Sequence, residues 1–90
     1  MDAKTLLNDA IALHQAGRLD DAEARYRQVL ARVPGQPDAL HFLGLAAHQR
    51  GRHEEAVTLM DQALAQSPKY PACLSNRGNA LLALGRVEEA

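Results

Sequence analysis

GRLDDA at residues 17–22 returns as GRHEEA at 51–56 and as GRVEEA at 85–90. The step is 34 residues both times, and positions outside the hexapeptide keep it: Leu6, Leu40 and Leu74; Ala12, Ala46 and Ala80; Pro34 and Pro68; Pro37 and Pro71; Gly44 and Gly78. Agreement falls on small, apolar and turn-forming residues, the types that packing and backbone geometry restrict. The period is therefore structural, and the chain is an array of one repeated unit.

Punctuation divides each unit into two helices. Pro37 and Pro71 suit the first turn of a helix, where a missing N–H costs little. Gly51 and Gly85 then supply the left-handed residue that often ends one. Asp20-Asp21, Glu54-Glu55 and Glu88-Glu89 follow at once and put carboxylates where the dipole of the next helix favours them. Pro34 and Pro68 stop that second helix. The spacing predicts helices near 3–16, 20–32, 37–50, 54–66 and 71–84, with a last element begun at 87–90. No stretch alternates with period two, so the fold class is all-α.

The apolar residues say how these helices meet. Leu6, Ala10 and Leu13 share one face, as do Leu40, Gly44 and Ala47, then Leu74, Gly78 and Leu81. That face should meet the second helix of its own unit, through Ala22, Tyr26, Val29 and Leu30 or through Ala56, Met60, Ala63 and Leu64. Glycine and alanine at these places let two helices approach closely. One hairpin of this size cannot bury its own stripe, so units must stack, and the hexapeptide is the turn between paired helices.

Composition removes several classes of function. Ninety residues make one domain, 1–90, with a core of modest size. A net charge of −1 and a pI near 6.4 leave no basic excess for a phosphate backbone, so neither nucleic acid nor an anionic membrane is an expected partner. Cys73 is the only cysteine, which gives no disulfide framework and no zinc spacing. The start MDAKTLLNDAIAL mixes acids with its apolar residues and forms no continuous apolar run of leader or membrane-span length. The expected location is the cytoplasm.

Leu40, Leu43, Gly44, Ala56, Ala63 and Pro68 stand at spacings that resemble the tetratricopeptide repeat (TPR). The resemblance runs along essentially the whole chain, as repeats 3–36, 37–70 and a partial 71–90. It implies an α-solenoid, a right-handed superhelix of antiparallel helix pairs with two full repeats and a truncated third. Ala10 replaces the usual glycine, Asp9 and Arg77 sit where an apolar residue is common, and no tryptophan or first-helix tyrosine occurs. The pentatricopeptide repeat, an RNA reader, has a period one residue longer and does not fit.

In such a fold the first helices line the concave surface, and the resemblance places binding positions there: Lys4, Leu7, Asn8, Ile11, His14 and Gln15; Asp38, His41, Phe42, Leu45, His48 and Gln49; Ser75, Asn76, Asn79 and Leu82. The residues agree, because Leu7, Ile11 and His14, like His41, Leu45 and His48, form a second stripe beside the first. Aliphatics mixed with uncharged hydrogen-bonding groups suit an extended or helical peptide, so the expected function is a protein-interaction module. For Leu7, Ile11 and Leu45, packing against neighbouring helices fits equally well. The competing expectation is a structural or oligomerisation segment of a larger enzyme, with no ligand of its own.

Two family sites can be compared by position. Members that grip the carboxylate tail of heat-shock chaperones use a clamp of lysines, asparagines and an arginine, but Leu7, Ile11, Phe42 and Ala72 hold those places here. O-linked N-acetylglucosamine transferases line their superhelix with asparagines. Asn8, Asn76 and SNRGN at 75–79 look similar, with Phe42 interrupting the ladder, and PDALHFLGLAAHQRGRHEEA at 37–56 resembles the leading repeats of bacterial proteins of that group.

Catalytic and metal readings are weaker than structural ones. His14 and His48 are equivalent and His41 lies two turns before His48, but no cysteine or carboxylate completes a four-ligand shell. HEEAV at 53–57 shares only two letters with the zinc motif HExxH. Cys73 and Ser75 lack a base and an orienting group, and the acid pairs are explained as helix starts. No cofactor and no metal are expected, and the chain is not read as an enzyme.

The third unit lacks nearly all of its second helix, and residues 71–90 do not read as a polar-faced cap. Leu74, Leu81 and Leu84 then lose their cover, at a cost of a few kcal/mol. That favours a homo-oligomer joined through this end; the alternative is a monomer with a frayed last helix.

Overall fold

The computed structural model describes residues 1–89, with side chains as far as Arg86. It contains five helices: α1 (Ala3–Gln15), α2 (Leu19–Arg32), α3 (Pro37–Gln49), α4 (His53–Gln66) and α5 (Pro71–Glu89). Among the described residues there is no strand.

Local chemistry sets the ends of α1 and α3. The Asp2 side chain accepts from the Thr5 N–H at 2.8 Å to start α1, and Pro37 opens α3 behind a Gln36 side chain that accepts from the Ala39 N–H. Gly17 and Gly51 both adopt positive φ, 80° and 82°. In each case the next two N–H groups reach back to the helix end: Gly17 to His14 and Arg18 to Leu13, then Gly51 to His48 and Arg52 to Ala47. This is the Schellman closure, which satisfies carbonyls that would otherwise lack partners.

The fifth helix departs from the expected pattern. Gly85 does not turn left-handed, and α5 runs through it to Glu89 instead of stopping at 84. Glycine permits the left-handed turn without enforcing it. Among the described residues no helix packs back against the end of α5, and continuing the ladder keeps more backbone hydrogen bonds. Residues 87–89 therefore extend α5, and Ala90 lies outside the described residues.

Consecutive helices pack as hairpins and the hairpins stack, giving an elongated body of 44 × 28 × 19 Å. Ala10, Ala22, Tyr26 and Leu43 form one core cluster, Leu6, Val29 and Ala39 a second, and Leu40, Ala47, Ala56, Met60, Ala63, Cys73 and Ala80 a third. Large residues meet small ones throughout, so α3 lies very close to α4. A Cβ on Gly44 would sit 3.1 Å from the Ala56 carbonyl oxygen and from Met60 Cγ.

Stacking leaves α5 covered on one side only. Cys73 and Ala80 are fully buried against α4, whereas Leu74 is 51%, Leu81 42% and Leu82 61% exposed. Leu84 is half-buried. Ala12 is exposed although its repeat-mates Ala46 and Ala80 are buried, because none of the described helices packs over that face of α1.

Candidate functional site

The first helices α1 and α3 lie side by side, and between them opens a pocket of about 310 Å³ lined by Ile11, His14, Gln15, Tyr26, Phe42, Leu45 and Gln49. Tyr26 reaches it from α2 and lies wholly below the surface. Its ring lies nearly parallel to Phe42, with centroids 6.2 Å apart, and meets His14 edge-on at 5.9 Å.

Hydrogen bonds fix the rim. His14 Nε2 lies 2.8 Å from Gln49 Oε1, and Nδ1 lies 2.9 Å from the Tyr26 hydroxyl. An amide oxygen only accepts, so His14 Nε2 carries a proton and donates to Gln49, and in the neutral ring Tyr26 donates to Nδ1. Burial pushes the Tyr26 phenol up to about 12, which keeps that donor intact at any physiological pH. One histidine of α1 thereby joins α2 to α3 across the repeat boundary.

A second chain runs beneath the next boundary. The Asn76 amide donates to His41 Nε2 at 2.8 Å, His41 Nδ1–H donates to the Tyr70 hydroxyl at 2.9 Å, and Tyr70 donates to Asp38 Oδ1. Each member has one direction available, so the chain is a single ordered run from α5 to α3. His41 stacks on Phe42 at 4.9 Å and meets Tyr70 edge-on. Burial holds its imidazolium below the usual histidine range, opposed by Asp38. Burial and then Asp38 push the Tyr70 phenol up.

A sequence model of the tetratricopeptide repeat matches residues 7–71, and a second model of the same repeat matches 71–90. This chain belongs to the tetratricopeptide-repeat family. No curated protein matches it. Among solved structures it is similar to the Sgt2 TPR domain from Aspergillus fumigatus, with 24% identity and a TM-score of 0.87 over 96% of this chain and 57% of that one. It is similar also to the second and first TPR of Spaghetti (RPAP3), each bound to the HSP90 peptide SRMEEVD. The second matches at 20% identity and TM-score 0.89, over 99% of this chain and 82% of that one. The first matches at 24% and 0.88, over 99% and 75%. These likenesses show the fold.

Within this tetratricopeptide-repeat frame the expected binding residues divide by depth. Lys4, Asn8, Gln15, Gln49, Ser75 and Asn79 are exposed, while Leu7, Ile11, His14, Asp38, Phe42, Leu45, His48 and Asn76 are half-buried. His41 is the correction: it is 2% exposed and both ring nitrogens are engaged inside the chain, so it supports the groove from below. The physical reason is that Tyr70 and Asn76, far off in sequence, close over it.

His14, His41 and His48 do not turn to one another. His14 turns to Tyr26 and Gln49, whereas His48 Nδ1 lies 2.8 Å from His53 Nδ1 at the start of α4. Cys73 is buried with its thiol toward the Met60 carbonyl, and burial raises its pKa, so it is not a poised nucleophile. Three of the first-turn acids of α2 and α4 pair with arginines: Asp21 with Arg18, Asp20 with Arg50, and Glu55 with Arg27 and Arg52. Tyr26 and Tyr70 were not among the expected site residues. Tyr26 reads as core from its helix face, and Tyr70, just before Pro71, carries no signal, since its partners lie 29 and 32 residues away.

Proposed function

We propose that the chain is a peptide-binding module whose partner lies along the concave face of α1, α3 and α5. The observation that carries this reading is the pocket between α1 and α3. Ile11, Phe42 and Leu45 offer it apolar surface, and Gln15 and Gln49 offer amides at its rim, the combination that seats a side chain and holds the backbone beside it. The Spaghetti domains, which share this fold, hold a peptide. That peptide is acidic, however, and Leu7, Ile11 and Phe42 give no cationic clamp here. An asparagine ladder is not continued either, because Phe42 stacks between His41 and Tyr26. A binding role without catalysis fits the inert thiol and the paired acids, and a single buried cysteine fits a reducing compartment such as the cytoplasm.

Selection of a random peptide library against the wild-type chain and against Leu45→Lys tests the reading. Peptides that bind the wild type and are lost on Leu45→Lys, with helicity unchanged, are the expected result. Binders that ignore the substitution, or that share an acidic C-terminus, contradict it.

A specific observation also favours association between copies. Leu74, Leu81 and Leu82 form an exposed apolar face on α5, around Gly78 and Gly85, where no atom lies within 4 Å of an added Cβ. A second copy pairing α5 with α5 covers these leucines in a two-fold, self-complementary contact.

A further inference from the structure

Three observations narrow what the pocket between α1 and α3 accepts. The chain has one phenylalanine and two tyrosines, and two of these three rings, Phe42 and Tyr26, meet at this pocket, with His14 edge-on beside them. No Asp, Glu, Lys or Arg side chain lines it, so an ammonium, guanidinium or carboxylate entering it would be desolvated without an ion-pair partner. At the rim, Gln49 Oε1 is occupied by His14, which leaves the Gln49 amide N–H groups to donate outward. The opposite rim carries Gln15, whose amide makes no hydrogen bond among the described residues.

We propose that this pocket anchors one uncharged aromatic side chain of an extended peptide, with the backbone amides on either side held by Gln49 and Gln15. The proposal rests on the groove reading above and specifies its ligand class. A volume of about 310 Å³ is at the small end of ligand sites, the scale of one large side chain. Offset or edge-on contact with Phe42, whose ring Tyr26 backs from below, favours a ring over an aliphatic group by roughly two- to tenfold in affinity. Charged anchors are excluded by a lining that holds no Asp, Glu, Lys or Arg.

The test uses side-chain fragments on the ¹⁵N-labelled chain, followed by amide chemical shifts. Indole and p-cresol stand for tryptophan and tyrosine, 3-methyl-1-butanol for leucine and n-butylguanidinium for arginine. The expected result is saturable shifts at Ile11, Phe42 and Leu45, with both aromatics binding about two- to tenfold more tightly than the alcohol and no response to the cation. Leu45→Lys should abolish the shifts, and Ile11→Lys serves as the second variant should the first fail to fold. Equal binding of the alcohol, seating of the cation, or aromatic shifts elsewhere would overturn the proposal.

The two readings fail separately. Library peptides that need Leu45 but anchor through an aliphatic residue overturn the aromatic assignment and keep the groove. Aromatic fragments seated in the pocket, with no Leu45-dependent peptide recovered, uphold the pocket chemistry and remove the peptide function.

Discussion

Gly44 and Gly78 occupy the same place in successive repeats, yet their surroundings are opposite. An added Cβ on Gly44 meets Ala56, Met60 and Leu59 at 3.1–3.3 Å, while one on Gly78 meets nothing within 4 Å. Gly44→Ala should therefore separate α3 from α4 and destabilise the chain by about 1–3 kcal/mol. Gly78→Ala should stabilise it by up to about 1 kcal/mol through helix propensity alone. Urea unfolding of the two variants reads the sign directly, and equal effects would contradict the packing described. His41 carries a second residue-scale prediction. Its folded pKa, like that of His48, lies below the ordinary 6.5. In the window below 6.5 the unfolded chain binds more protons, so stability is complete above that value and is lost as pH falls through it. The thermal midpoint should drop between pH 7.5 and pH 5, and the drop should be smaller in His41→Asn; an equal drop in both would remove His41 as a cause. The position of His41 on a helix face was legible from the stripe it shares with Leu45 and His48. Its depth was not, because burial comes from Tyr70 and Asn76 across a repeat boundary.

At the scale of elements, helices α1 to α4 begin and end within a residue of where Pro37, Gly17 and Gly51 put them, since those residues act on their own backbone. Helix α5 was misread for the complementary reason: Gly85 permits a turn, and only a helix packing back against α5 would select it. Ties between elements were also hidden in the sequence. Glu23 on α2, 8% exposed, receives Arg52 and lies 3.5 Å from Arg50, both in the turn between α3 and α4. Both arginines are more than a third open to water, so the tie is screened. Glu23→Gln should cost about 1 kcal/mol, seen in urea unfolding. A loss of several kcal/mol would mean a buried, unscreened pair.

For the whole molecule, the two ends of the stack differ in what they expose. The first end shows Ala12, a small residue, whereas α5 shows three leucines. The chain mass is 9.8 kDa, and light scattering across a concentration series should give a value rising toward twice that, with Leu74→Glu/Leu81→Glu held at the monomer. Monomer mass throughout for the wild type would end the self-association reading. Superhelical stacking was legible from the 34-residue step, since every unit repeats the same apolar stripe. The pocket was legible only in part: Ile11, His14 and Leu45 stand on the stripe, but the floor formed by Tyr26 depends on how deeply one hairpin nests in the next. The most direct test of the central claim, that a peptide lies in the concave groove, is amide shift mapping of a library-selected peptide on the labelled chain. The account predicts perturbations at Ile11, Phe42, Leu45 and Gln49. Perturbations confined to Leu74 and Leu81, on the face of α5 turned away from the groove positions, would contradict it.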